Sequence, residues 1–289
     1  MKKAFSVVVE KKVQDFLRDE AGMSRRMVKD LKKNGGFFRN GAVVSHYDKL
    51  SPGDVLTVEF PAVHTLPAEP EATPLTVVYE DEDVLLIDKP VGMVTTPSCQ
   101  HPHGTVVQAV LHHYTLQNWK QTVHLVNRLD RDTGGLLLIA KHPYSHSLFY
   151  KEEAGLRKGY TALVEGMMER KQGRITSPIA RAQDSIIKRE ISAEGKSAVT
   201  RYEVLEEMGD KTLVSVGLET GRTHQIRVHM ASIGHPLTGD TLYGAGPSAW
   251  SEGQALHASF LQFIHPWTKE KMSFRSAPSF YPKARKLSG

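Results

Sequence analysis

The residues best able to do chemistry crowd into one stretch, Asn127-Arg128-Leu129-Asp130-Arg131-Asp132-Thr133-Gly134-Gly135. Apolar runs at 123–126 and 136–140 flank it. Short apolar runs bounded by glycine and charge read as buried strands, which leaves their connection free to carry function. Two readings fit: a hairpin whose charges pair with one another in water, or a loop that holds Asp130, beside Arg128, at the edge of a cleft. The density of charge between two buried strands favours the cleft, because such a loop has little freedom to turn its polar groups into solvent. A second concentration is Thr220-Gly221-Arg222-Thr223-His224-Gln225-Ile226-Arg227. Thr223 suits a helix cap, with Ile226, Met230 and Ile233 on the buried face and Gly234 and Pro236 closing the helix. Arg222 then stands where a strand meets a helix N-terminus, a place that attracts anions. Tyr160, in the lead Arg157-Lys158-Gly159-Tyr160, reads by residue type alone as a core side chain of a strand.

The elements that would position these residues divide at residues 61–74, which hold four prolines and no helical or alternating pattern. That composition is a stiff linker between a unit at 1–60 and a larger one at 75–289. In the first unit Val13, Phe16 and Leu17 repeat at helical spacing over 11–20. Ser24 caps a second helix that buries Met27, Val28 and Leu31 and ends at Gly35-Gly36, and Asn40-Gly41 turns a hairpin before a strand at 55–60. Arg25, Arg26, Lys29, Lys32 and Lys33 crowd the open side of that second helix. In the second unit strands are expected over 75–79 and 84–90, helices over 105–114 and 143–154, a hairpin of 198–205 with 211–218, and closing strands over 256–264 and 272–275.

Composition narrows the classes. The net charge is +5, and residues 1–60 carry twelve Lys and Arg against eight Asp and Glu, an excess that suits a polyanionic partner. No apolar run approaches the roughly 20 residues needed to span a bilayer. The first residues meet Glu10 too soon for a signal peptide. The single Cys99 excludes an internal disulfide and a multi-thiolate metal site, so cytoplasm is the expected compartment. His101 and His103, and the adjacent His112 and His113, lack a carboxylate or cysteine at ligand spacing, and His224 and His229 fall on different faces; no metal is expected. There is also no phosphate-cradling or dinucleotide-binding glycine motif.

The charged loop resembles the signature His-Arg-Leu-Asp-x-x-Thr-Ser-Gly of the RluA-type pseudouridine synthases. It keeps Arg128, Leu129, Asp130, Thr133 and Gly135 and departs at Asn127 and Gly134. Asp88-Lys89-Pro90-x-Gly92-Met93, Lys158-x-Tyr160, the stretch from Thr220 to Arg227, Gly234-His235-Pro236 and Gly239-Asp240-x-x-Tyr243-Gly244 are similar to the family's other motifs, in order. Residues 11–60 resemble the RNA-binding module of ribosomal small-subunit protein four. The resemblance implies an α+β chain: a small helical and β module, then a mixed, mainly antiparallel sheet flanked by helices.

It further implies an enzyme that breaks the bond between uracil and its sugar, turns the base and rejoins it through carbon 5, with no cofactor. Asp130 would be the catalytic carboxylate, Arg222 its cationic partner with Arg128 as helper, and Tyr160 the ring against the base. A cation beside a carboxylate favours its charged form, which suits a nucleophile or base. One carboxylate is too few for ordinary glycoside hydrolysis. Thr133, Lys158 and Arg227, with Arg25, Arg26 and Lys29 of the first unit, would contact RNA; Lys89 is either a phosphate contact or a solvated strand end. The expected partner is RNA, ribosomal RNA of the large subunit or transfer RNA, bound by a monomer. A catalytically silent RNA-binding or assembly factor on the same fold is the rival reading, and a nucleoside hydrolase a more distant one.

Overall fold

The computed structural model describes residues 1–61, 66, 68–249 and 251–280. The first unit contains β1 (Lys2–Ser6), β2 (Lys11–Lys12), α1 (Val13–Asp19), α2 (Arg25–Asn34), β3 (Gly36–Arg39), β4 (Ala42–Val43), β5 (Lys49–Leu50) and β6 (Val55–Glu59). β1, β6, β3 and β4 make a four-stranded antiparallel sheet in that order, and β2 pairs with β5. The Ser24 hydroxyl accepts the Met27 N–H at 3.2 Å, the expected N-cap. Val28 and Leu31 of α2 join Val13, Phe16 and Leu17 of α1 in one core, while Arg25, Arg26 and Lys29 stay exposed. β1 was not anticipated. Its buried side carries Lys3, so the usual alternation of apolar and polar residues is missing from its sequence.

The rest comprises β7 (Thr76–Glu80), β8 (Val84–Lys89), α3 (Val106–Leu116), β9 (His124–Leu125), β10 (Gly134–Ala140), α4 (Pro143–Leu148), β11 (Arg157–Glu165), β12 (Gln172–Ile175), β13 (Ile179–Arg181), β14 (Arg189–Ile191), β15 (Thr200–Met208), β16 (Lys211–Leu218), α5 (Gln225–Ser232), β17 (Leu256–Ile264) and β18 (Lys271–Arg275). A ten-stranded sheet runs β12-β15-β16-β11-β17-β10-β8-β7, with β18 on β17 and β9 on β10. Its pairs are antiparallel except β10 with β17. The mixed, mainly antiparallel α+β class therefore holds. β10, and β8 over residues 84–87, carry no polar side chain because both faces are covered. Leu85, Ile87, Leu137 and Ile139 pack with α3 and α5, while Val84, Leu86, Leu136 and Leu138 pack with Phe149, Leu261 and Phe263.

Two boundaries differ from expectation. The run at 123–126 yields only the two-residue β9, half-buried. Helix α4 stops at Leu148, and Glu152–Ala154 is a separate 3-10 turn. Ser147 donates to the Tyr144 carbonyl at 2.7 Å, a local bond that competes with continued helix. In the proline-rich segment, residues 62–65 and 67 lie outside the described residues, and beyond them the Glu71 N–H donates to the Gln108 carbonyl at 3.1 Å. No helix among the described residues is long and apolar enough to cross a membrane.

The first unit is fastened to the large sheet by a buried ion pair. Lys3 and Asp83 meet at 2.7 Å, each with a side chain 5% exposed. Asp83 also takes bonds from His142 at 2.8 Å and Ser145 at 2.7 Å. Tyr144 donates to the Ala21 carbonyl at 2.9 Å, and Trp267 lies under the Lys3 ammonium. Burial pushes the Asp83 carboxyl upward, but His142, Lys3 and Ser145 outweigh it and hold the group well below the usual carboxylate range. A depressed folded value contributes stability above about pH 4, and that stability is lost as pH falls further. Lys3→Met should therefore cost about 3–5 kcal/mol, the usual loss when one partner of a buried pair is removed. It should also flatten the acid-side fall of unfolding free energy, as read by denaturant titration from pH 7 to 2.

Candidate active site

The loop that carries Asp130 is gripped at the backbone carbonyls on either side of that residue, those of Leu129 and Arg131. The buried Lys89 ammonium donates to the carbonyls of Met93 at 2.7 Å, Pro90 at 2.9 Å and Arg131 at 2.9 Å. Gly92 N–H donates to the same Arg131 carbonyl at 3.0 Å, and the Thr95 hydroxyl to that of Leu129 at 2.7 Å. Asn127, a departure from the signature, is buried and takes the place of strand backbone. Its amide donates to the Leu136 carbonyl at 3.2 Å and accepts the Leu138 N–H at 2.7 Å. That side chain compensates for the shortness of β9. Gly135 sits at φ +105°, where an added Cβ would lie 2.4 Å from the Ala258 carbonyl oxygen, so only glycine lets β10 run beside β17 here.

So fixed, Asp130 enters an open cleft lined by Arg128, Leu129, Tyr160, Leu218, Arg222, His224, Arg227 and Leu256, among others. Tyr160 comes from β11, where the register with β17 shifts between Gly159 and Thr161. A bulge of this kind re-aims a side chain. The ring is 7% exposed. Burial and the Asp130 charge push its hydroxyl above the ordinary tyrosine value, so it meets a ligand as a neutral ring.

The cation that reaches Asp130 is Arg227. Its Nη1 lies 3.3 Å from Asp130 Oδ2, while Nε and Nη2 form a two-pronged bond to Asp240 at 2.7 and 2.8 Å. Burial opposes the guanidinium charge, but Asp240 and Asp130 outweigh it and raise its pKa. This corrects the expected Arg222–Asp130 pair: Arg222 is exposed at the cleft mouth and its Nε donates to the Ser197 carbonyl at 3.0 Å. Helix α5 begins one residue later than expected. Thr223 does not cap it; His224 stands at its N-terminus in the left-handed region, φ 57°. The Gln225 side chain instead accepts from Arg222 N–H and the Thr220 hydroxyl, each at 2.9 Å. Ile233, expected to face inward, is 38% exposed.

Other expected contacts also move. Lys89 is neither a phosphate contact nor a solvated strand end, being 1% exposed. Thr133 is 2% exposed; its N–H bonds the Asp130 carbonyl at 3.1 Å and its hydroxyl accepts from Gln254 at 3.2 Å, so it shapes the turn. Lys158 is partly buried on β11, which lowers its pKa. Arg128 is exposed on the cleft wall. Asp240 and Tyr243 were visible only as members of a motif, and His224 as a motif member and a rejected metal candidate. Next to the cleft, Arg181, Arg189, Lys196 and Arg222 line a neighbouring groove at the β13–β14 hairpin, which carried no strand signal strong enough to place.

The RNA pseudouridylate synthase family model matches residues 83–232, which contain Asp130, Tyr160 and Arg227. The chain is 44% identical over 263 residues to the uncharacterized RNA pseudouridine synthase YjbO of Bacillus subtilis, covering 89% of this chain and 92% of that one. The chain belongs to the RNA pseudouridine synthase family. It is also 35% identical over 272 residues to ribosomal large subunit pseudouridine synthase D of Vibrio parahaemolyticus, covering 89% and 83% of the two chains. The fold matches human RNA pseudouridylate synthase domain containing 1 with a TM-score of 0.58 and 25% identity, over 72% of this chain and 84% of that one. The protein is thus an isomerase of the RluA type, converting uridine to pseudouridine in RNA.

Lys89 gives this synthase a testable alkaline limit. Burial draws its pKa down to about 8, with Asp132 and Asp130 opposing. As pH rises through that value the ammonium loses a proton, and the carbonyls it holds lose a donor. Single-turnover rates should fall there. Stability should not, because an unfolded lysine keeps its proton to about pH 10.4 and the unfolding free energy rises between the two values. Lys89→Met should lower the rate about a hundredfold through loop displacement, and the residual activity should lack the limb near pH 8.

Proposed function

We propose that the enzyme isomerises a uridine of large-subunit ribosomal RNA, with Asp130 as its catalytic carboxylate and residues 1–60 as an RNA anchor. One observation carries the choice of Asp130: among the residues lining the cleft it is the carboxylate, and a buried arginine holds it beside a tyrosine ring. In the reaction the N1–C1′ bond breaks, the C5–C1′ bond forms, the hydrogen on C5 leaves as a proton and N1 gains one. Attack on C1′ and removal of the C2′ proton both need an ionised carboxylate, and Arg227 Nη1 stands 3.3 Å from Asp130 Oδ2 as its counter-charge. Tyr160 supplies a face for the base, and a target uridine must leave its stack to reach it, at a cost of a few kcal/mol. Arg222 and Arg128, exposed at the mouth, suit RNA phosphate.

Asp130→Asn should release no tritium from RNA labelled at uracil C5 while keeping its RNA affinity; release within tenfold of wild type would remove Asp130 from the role. Arg227→Ala should collapse the single-turnover rate even at saturating RNA, whereas Arg222→Ala should recover near the full rate once RNA saturates. The reverse pattern would exchange the two roles. A silent RNA-binding factor would show no tritium release from the wild-type protein either.

The rRNA assignment rests on the large-subunit name of a relative covering most of the chain, and the anchor on the exposed Arg25, Arg26 and Lys29 of α2 and on the likeness to the ribosomal-protein module. Replacing those three cations by glutamine should lower the salt slope of log affinity by about 2–3, close to one per lost phosphate contact. Carbodiimide mapping in cells with and without the gene should find a pseudouridine missing from large-subunit RNA. A loss confined to transfer RNA would overturn that choice.

A further inference from the structure

His224 and Tyr243 have no part in the reaction so far, yet they join Asp130 to a neighbouring hairpin. The Arg189 backbone N–H, on β14, donates to the Tyr243 hydroxyl oxygen at 2.9 Å. The same hydroxyl lies 2.9 Å from His224 Nδ1. With its oxygen already accepting from Arg189, the hydroxyl has its own proton to give, and in one of the two neutral imidazole tautomers Nδ1 accepts it. The ring proton of a neutral imidazole then resides on Nε2. That nitrogen is 3.7 Å from Asp130 Oδ2, the oxygen that Arg227 also faces. Burial lowers the His224 pKa, with Asp130 opposing and Arg227 adding to the fall, so the neutral form dominates around neutral pH.

We propose that His224 is a positioning residue for the isomerisation, its Nε2–H turned toward Asp130 by a tautomer that Tyr243 and the Arg189 backbone fix. The inference rests on Asp130 being the catalytic carboxylate. A gap of 3.7 Å is longer than a hydrogen bond, and catalytic bonds of this kind commonly tighten only when substrate is in place. The hairpin is placed to close it. Its tip exposes Ile186 at 76% and Ile187 at 53%, and its arms bring Arg181 and Arg189 to the groove beside the cleft. A polyanion drawn into that groove presses on the element whose backbone holds Tyr243. Asp130 thus receives two donors on one oxygen, one from the buried Arg227 and one through a chain that begins at the substrate groove.

Two substitutions at His224 separate this role from simple packing. Glutamine places an N–H where Nε2 stands; asparagine reaches only the position of Nδ1. At φ 57° asparagine bears the lower backbone cost, so strain does not account for a loss confined to it, and thermal melts establish that both are folded. In single-turnover assays at saturating RNA, His224→Asn should lose about ten- to a hundredfold in rate, the worth of one hydrogen bond to a charged group. His224→Gln should recover most of it. Tyr243→Phe keeps the ring against which Arg227 lies and removes the hydroxyl alone; it should fall toward the asparagine variant with RNA affinity little changed. Equal loss in the glutamine and asparagine variants, loss in neither, or a wild-type rate for Tyr243→Phe would each overturn the inference. Asp130→Asn run alongside keeps the two ideas apart. Turnover by Asp130→Asn defeats the reading of Asp130 itself, whereas an inert Asp130→Asn beside a fully active His224→Asn defeats only the role of His224.

Discussion

The site depends on one buried guanidinium shared by two carboxylates. Asp240 takes two of the Arg227 nitrogens in the plane that a carboxylate matches best. That fork fixes the orientation of the third nitrogen, and Asp130 is where it points. A lysine would give charge without direction, so the geometry requires arginine. The division also explains burial. Asp240 is 1% exposed and neutralises Arg227 inside the protein, whereas Asp130 keeps a side chain 31% open to the cleft. Removing Asp240 would leave Arg227 with Asp130 as its sole carboxylate and free to turn.

The carboxylate itself is set by contacts that are not catalytic in character. Lys89, Thr95 and Gly92 hold the carbonyls on either side of Asp130, and Asn127 stitches the loop entrance to β10. A loop with that many backbone groups satisfied by protein has little freedom to rearrange, and a rigid loop is what a small misplacement of the reacting group demands. Asn127, where the signature has histidine, supplies one donor and one acceptor at strand spacing. Gly134 has a comparable explanation: a Cβ there would lie 3.2 Å from both His257 and Val91, tight but not prohibitive.

Much of this was legible in the sequence, and the failures share a cause. Continuous apolar runs announced β8 and β10, and turn residues announced the β3–β4 hairpin, because burial and backbone conformation act locally. The loop holding Asp130 was evident from charge density between those strands. The pairing partner was not. Arg222 and Arg227 are five residues apart and both line the cleft, but Arg227 is the one that reaches Asp130. The expected start placed Thr223 as the cap, whereas the Gln225 side chain bonds both Thr220 and Arg222 and delays the helix until Gln225. Arg222 stays in the connection before the helix, exposed, while Arg227 lies within α5 and is buried. Lys3 and Lys89 misled in a related way, since lysine is so seldom fully buried that its sequence gives no hint of the carbonyls or carboxylate that pair with it.

One strand relates the proposed anchor to the site. β8 starts beside Asp83, where Lys3 fastens the first unit, and ends at Lys89, which holds the Asp130 loop. Six residues of extended chain separate the two, about 20 Å. Both faces of β8 are packed and its hydrogen bonds run to β7 and β10, so that spacing has no freedom to vary. With Phe60 and Tyr144 stacked across the same junction, the first unit is held by more than its linker. An RNA that touches α2 and also places a uridine against Tyr160 must match a fixed separation. Selectivity for the target would then come from the shape of the RNA between the two contacts, which a loosely tethered module could not impose.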